Sequence, residues 1–286
     1  MEPKHERRQF MYLQWEDKFR REKPYQIVSE NIPELDGLAR SNINMIEGPE
    51  ELIENIRGRE STFTLDQNGF QILRHQFPPI NYQSNDEVEN VYKPEIERLL
   101  KEEVEGVDRV VFFNWRLRLN VARDSLANLN DPLVPLVPAH NVHLDQSPAT
   151  AVQYVYEKMG EEAETYLQGR VRIFNIWRPY AHHVEDCPLA LCDGSTIRGS
   201  DLVICDNIQK TRLGETLLPL YNPDTKWYYL NGQHNDEVTV IKIFDSDADV
   251  AASCCPHTAF YHRNIPPDVP PRQSIEVRAL IFTKPD

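Results

Sequence analysis

Apolar residues recur at helical spacing most clearly in the charged stretch 85–104, where Ile96, Leu99, Leu100 and Val104 form one stripe between acidic flanks. That pattern predicts a helix lying on a core. Ser147-Pro148 offers an N-cap and a first-turn proline, so a long helix is expected over 149–167. Helix-like patches also occur at 10–22 and 48–58. Residues 62–73 alternate apolar and polar around Asp66-Gln67-Asn68-Gly69, a hairpin signature. The rest reads as strands: 109–118, 171–177, 202–205, 226–230, 237–244, 251–260 and 274–282. A loop rich in Pro, Asn and Leu, 128–138, leads to the segment around His143. Short strands at nearly regular spacing imply a sandwich or jelly roll, mainly β with helical additions.

The 286 residues suit one domain, with 1–105 as an N-terminal helical and hairpin region and 106–286 as the β core. The formal net charge of −14 argues against nucleic acid and against anionic membrane surfaces. No apolar run is long enough to span a membrane, and the charged N-terminus lacks an apolar signal core, so a cytoplasmic protein is expected. The five cysteines form no Cys-x-x-Cys pair. They read as buried small hydrophobes rather than a zinc or disulfide framework.

Candidate chemistry begins at His140-Asn-Val-His143-Leu-Asp145. On an extended segment, positions i and i+2 share a face, so His143 and Asp145 can reach one metal while Leu144 turns to the core. A third ligand must come from a distant strand. His257, in Ser-Cys-Cys-Pro-His-Thr-Ala-Phe, fits that requirement. Two His and one carboxylate with open positions is the ligand set of non-heme Fe(II) oxygenases. His140 and His262 compete with His143 and His257 on spacing alone.

Such an oxygenase needs a cosubstrate, and a dicarboxylate such as 2-oxoglutarate would want a guanidinium for its far end. Arg272, Ser274 and Arg278 share one parity on the last strand, and the pattern leaves the choice between the two arginines open. Asn175-Ile-Trp177-Arg178-Pro179 would place large polar groups at a barrel mouth. Trp115, Trp177 and Tyr261 are candidates for holding an apolar substrate, although core packing is the commoner role for such residues.

Taken together, Val142-His-Leu-Asp-Gln-Ser147, Asn175-Ile-Trp-Arg-Pro179, Val184–Asp193, Pro256-His-Thr-Ala-Phe260 and Pro270-Pro-Arg-Gln-Ser-Ile-Glu-Val-Arg278 resemble the signatures of the fungal AsaB-like hydroxylase/desaturase family. That family is related to a cephalosporin 7α-methoxylase component and to a fungal meroterpenoid endoperoxidase. The resemblance runs from about Phe63 to the C-terminus. It departs from the family at Gln273, where Glu is usual. It implies a double-stranded β-helix (jelly roll, cupin-like) using Fe(II), 2-oxoglutarate and O2. It implies His143, Asp145 and His257 as iron ligands, Arg272 or Arg278 as the cosubstrate arginine, and Arg178 as a further contact. The expected reaction is ferryl-oxo hydrogen abstraction from a small molecule of secondary metabolism, ending in hydroxylation, desaturation, cyclisation or peroxidation. Two rival readings are a non-catalytic β-helix accessory protein and a zinc or manganese hydrolase on the same fold. A homodimer is compatible with all of them.

Overall fold

The computed structural model describes residues 4–28, 37, 39–121, 131–210 and 212–284. Thirteen strands follow in order among these residues: β1 Glu6–Leu13, β2 Tyr25–Ile27, β3 Met45–Asn55, β4 Phe70–Arg74, β5 Arg109–Leu119, β6 Arg170–Pro179, β7 Leu189–Cys192, β8 Leu202–Gln209, β9 Arg212–Pro219, β10 Trp227–Tyr229, β11 Glu237–Asp245, β12 His257–Ala259 and β13 Gln273–Thr283. They build a major sheet β4-β11-β6-β13-β5, a minor sheet β1-β3-β10-β7-β12 and a three-stranded sheet β2-β8-β9. This is the double-stranded β-helix, or jelly roll.

Strand alternation sets the layers. Ile173, Ile241, Leu280 and Phe282 of the major sheet meet Leu191 and Tyr228 of the minor sheet in the central core. The opposite face of the major sheet, with Phe174, Ile176, Val240, Val277 and Ile281, is covered by the helix Lys93–Glu103 through Ile96, Leu99 and Leu100. The interior is apolar at one end and polar at the other. On β13, Leu280 and Phe282 lie in the dry core, whereas Arg272, Ser274, Glu276 and Arg278 continue the same parity toward the polar end.

Several expectations change. The helix-like patch at 10–22 is the end of β1 followed by a short 3-10 turn, Asp17–Arg20, and 48–58 lies largely in β3. These two strands pair antiparallel, so the N-terminal region supplies sheet rather than helix. The expected hairpin at 62–73 is a one-turn helix, Leu65–Asn68, capped by Thr64 Oγ1 on the Gln67 N–H and stopped by Gly69 in the left-handed region at φ 82°. The chain then enters β4, which pairs with β11 far downstream. The helix begins at Pro148 with Ser147 as its N-cap, as expected. It ends at Met159, because Gly160 takes φ 53°, and a 3-10 turn and the short helix Ala163–Tyr166 complete the segment. The strand expected over 251–260 is only His257–Ala259. Residues 128–130 of the Pro-rich loop fall outside the described residues.

Candidate metal centre and adjoining cleft

The segment carrying His143 is too short to be a strand of its own. It nevertheless bridges two sheets. His143 and His257 exchange backbone hydrogen bonds at 3.2 and 3.1 Å, and Leu144 and Leu217 exchange them at 2.9 and 3.0 Å. The segment therefore joins β12 of the minor sheet to β9 of the three-stranded sheet. Leu144 is fully buried in the core, and His143 and Asp145 turn together to the other side.

The ligand atoms of His143, Asp145 and His257 lie within 4.8 Å of one another, a spacing that one ion can span. The backbone sets the tautomers. His143 Nδ1 donates to the Asn141 carbonyl at 2.9 Å, and His257 Nδ1 donates to the Cys255 carbonyl at 3.2 Å. With Nδ1 so engaged, Nε2 is the nitrogen left to each ring for a metal. Burial, with His143 close by, pushes the His257 imidazole down to about 4 despite Asp145, so the ring is neutral at physiological pH.

Both Asp145 oxygens are engaged. Asn175 Nδ2 donates to Oδ2 at 2.6 Å, and Arg278 Nη2 donates to Oδ1 at 2.6 Å. Burial pushes the Asp145 carboxyl up, but Arg278, His143 and His257 outweigh it and hold the group well below the usual carboxylate range. Arg278 is also gripped by Glu276, at 2.9 Å from Nε and 2.7 Å from Nη2. Its charge is therefore satisfied inside the protein.

Arg272 differs. It is 1% exposed, its Nη1 donates to the Cys187 carbonyl at 2.6 Å, and its cation lies 5.4 Å from the Trp177 ring centroid. Among the described residues no carboxylate side chain pairs with its guanidinium, and Nε has no partner. Ser274 Oγ, two residues on and fully buried, is also unpartnered. A buried cation and hydroxyl left this way are costly unless an anion completes them. Arg272, Trp177, His143 and His257 line one crevice, which has about 20 Å³, room for a single water. A wider cleft of about 370 Å³ opens on the other side of His143 and Asp145.

The remaining sequence candidates lie elsewhere. Arg178 was an expected cosubstrate contact and is corrected here. It is one position out of phase with Asn175 and Trp177 on β6, so it faces the opposite side of the sheet. There it donates to Tyr92 at 3.0 Å and to Tyr82 and the Asn235 carbonyl, with Phe77 4.0 Å from the cation. His262 pairs with buried Glu6 at 3.0 Å, and His140 stacks on Tyr261 at 4.7 Å. Trp115 donates to Glu89 on the helix-covered face. The tryptophan and tyrosine candidates thus leave the wide cleft to other residues. Its wall is rich in side-chain amides, Gln26, Asn114, Asn141, Gln146, Asn207 and Gln209, which sequence reasoning did not single out as a group.

A family model described as an oxidoreductase/YMDC permease-like domain matches residues 10–282. No helix among the described residues is long and apolar enough to cross a membrane. The Fe(II)/2-oxoglutarate-dependent dioxygenase nvfI of Aspergillus novofumigatus is 34% identical over 233 residues, covering 79% of this chain and 80% of that one. The hydroxylase/desaturase poxK of Penicillium oxalicum is 29% identical over 262 residues, covering 81% of this chain and 78% of its own. A solved structure of the iron and alpha-ketoglutarate-dependent endoperoxidase NvfI superposes with a TM-score of 0.86 at 29% identity, covering 100% of both chains.

Proposed function

This chain belongs to the family of Fe(II)/2-oxoglutarate-dependent dioxygenases that includes these fungal relatives, and on that footing we propose that His143, Asp145 and His257 hold its iron while Arg272 and Ser274 receive the far carboxylate of 2-oxoglutarate. The protein is an enzyme that uses Fe(II), 2-oxoglutarate and O2 to oxidise a small molecule. The non-catalytic and hydrolase alternatives fall away with that membership. The name of another relative, Aspirochlorine biosynthesis protein N of Aspergillus oryzae, further supports a place in fungal secondary metabolism.

The observation that carries the site assignment is a three-ligand cluster facing, across one crevice, a buried cation with no carboxylate partner among the described residues. An imidazole-carboxylate donor set suits ferrous iron. Arg272 offers the planar fork that matches a carboxylate, and Ser274 adds a hydroxyl on the same strand face. Arg278 is a poorer anchor, because Asp145 and Glu276 already take its donors. The crevice as it stands must widen to admit a dicarboxylate.

When bound, iron and 2-oxoglutarate supply an oxidant able to take hydrogen from an unactivated C–H bond, with succinate and CO2 released. The chain's own part is positional. Asn141 and Cys255 carbonyls fix which imidazole nitrogens face the metal. Asn175 and Arg278 keep Asp145 ionised and hold its oxygens in place. Trp177 lies against the Arg272 cation and shields that end of the crevice from water.

Purified protein supplied with Fe(II), 2-oxoglutarate and O2 should release succinate, and His143→Ala should abolish both that release and Mn(II) binding followed by electron paramagnetic resonance. Wild-type metal binding in the His143→Ala protein would refute the assignment.

A further inference from the structure

The wide cleft is lined by a second cation, Arg212, two of whose donors lack a hydrogen-bond acceptor among the described residues. Arg212 opens β9, and its side chain is 20% exposed. Its guanidinium lies 3.6 Å from the Tyr154 ring centroid, and Tyr154 stacks on Phe113 at 4.2 Å, so the cation rests on a two-ring shelf. Nε and Nη2 are buried and have no hydrogen-bond acceptor among the described residues. These two nitrogens form the side edge of the guanidinium, whose parallel N–H bonds fit two oxygens of one anion. Glu157 forms an ion pair with Nη2 at 3.6 Å, beyond hydrogen-bond length, and is 40% exposed, so an anion would exchange for this half-solvated partner.

The other charged groups of the cleft leave this edge free. Glu215 is taken by Lys23 at 2.5 Å and by Ser147 at 2.5 Å, and Asp145 by Arg278. Lys158 and Arg278 are the other cations of the lining. Among the charged groups of the lining, Asp145 is matched by Arg278 and Glu215 by Lys23, in a chain of net charge −14. Asn207 Oδ1 and Gln146 Oε1 are further buried polar atoms without partners in the same lining.

We infer that Arg212 anchors an anionic oxygen pair on the substrate, so that the enzyme takes a carboxylic acid or an equally acidic organic molecule rather than a neutral apolar one. This rests on the proposed iron site as the reacting end. Arg212, Gly214, Thr216 and Leu218 all line the cleft from one strand, and Leu217 pairs with Leu144 beside the ligand segment. Arg212 stands four residues from Thr216, about 13 Å of strand at roughly 3.3 Å per residue. Acid and reacting carbon therefore sit at opposite ends of the cleft. Gly214 lies between them, and a Cβ there would meet Thr150 Cγ2 at 3.9 Å and Arg212 Nε at 4.0 Å, ordinary contacts.

The test uses full-length protein loaded with Mn(II) and saturated with 2-oxoglutarate, titrated calorimetrically with 2-naphthoate and with its neutral counterpart 2-naphthamide. Naphthoate should bind at least tenfold more tightly than the amide. Arg212→Gln should erase that preference, Arg212→Lys should keep most of it, and Gly214→Val should weaken both probes. Equal binding of the two probes, no naphthoate binding, or a preference unchanged in Arg212→Gln would each overturn the inference. Displacement of naphthoate by further 2-oxoglutarate would overturn it too, by placing the acid in the cosubstrate crevice. The same samples report Mn(II) and 2-oxoglutarate binding directly. Failure there would sink the iron site and leave the Arg212 result standing by itself.

Discussion

At the scale of single residues, Arg272, just before β13, and Arg278, within it, have separable jobs. Arg272 lacks a carboxylate partner and Arg278 has two. Arg272→Lys replaces a bidentate fork with a point charge, so the KM for 2-oxoglutarate should rise tenfold or more while Mn(II) affinity stays within about twofold. Asn175→Ala frees one Asp145 oxygen and should weaken Mn(II) affinity about ten- to a hundredfold, the usual cost of losing an outer partner. Titrations of each variant decide the matter, and an Arg272→Lys protein with wild-type KM would show that the cosubstrate is held elsewhere. The i, i+2 rule is local, so it made the pairing of His143 with Asp145 legible, whereas only the family resemblance set His257 ahead of His262. The sequence could not separate Arg272 from Arg278, since shared parity says nothing about which neighbour reaches which guanidinium. Arg212 escaped notice because its shelf, Tyr154 and Phe113, comes from two other elements.

At the scale of elements, the loop before β12 decides where His257 sits. Two glycines press on it. A Cβ at Gly194 would fall 1.9 Å from the Cys254 carbonyl oxygen, and one at Gly69 would fall 2.6 Å from the same atom. Cys255 is pinned in turn by its N–H to the Lys242 carbonyl at 2.7 Å. Gly194→Ala should thus cost about 1–3 kcal/mol as overpacking and shift the His257 loop. Thermal unfolding and Mn(II) titration of the folded protein should both register it; a variant matching wild type in both would show that the loop has slack. This close approach explains the reading of 62–73 as a hairpin. Gly69 does mark a turn, but the turn caps a helix and faces a distant loop rather than a paired strand. The patches at 10–22 and 48–58 misled for a related reason. Glu47, Glu50, Glu51 and Glu54 give β3 the charge density of a surface helix, and only pairing with β1 and β10 makes it a strand. The helix at 93–103 needed no distant partner to be recognised, because its stripe is local.

At the scale of the whole molecule, acid stability turns on a cluster at the dry end of the barrel. Lys242 is fully buried and bridges Asp66 at 2.7 Å and Asp245 at 2.5 Å, and Arg170 reaches both carboxylates at 2.6 Å. Burial raises the Asp66 carboxyl, but Arg170 and Lys242 overcome it and bring the group down to about 2, and Asp245 is lowered by the same two partners. A carboxyl depressed by folding contributes stability above its unfolded value near 4, and that contribution is lost as pH falls toward 2. The urea midpoint should decline between pH 5 and pH 2.5, and Asp66→Asn should flatten the decline. An identical pH slope in the variant would remove the cluster from the account.

Oxidation and recognition come from different pieces of chain. The proposed iron and cosubstrate groups hang from β6, β12, β13 and one short segment, whereas Gln26, Asn207, Gln209 and Arg212 of the cleft belong to β2, β8 and β9. The two sets meet where the His143 segment runs beside β9, at Leu144 with Leu217 and at the Ser147 N–H on the Glu215 carbonyl. A duplicated gene could drift through the three-stranded sheet, trading one substrate for another, without passing through a form that has lost its chemistry.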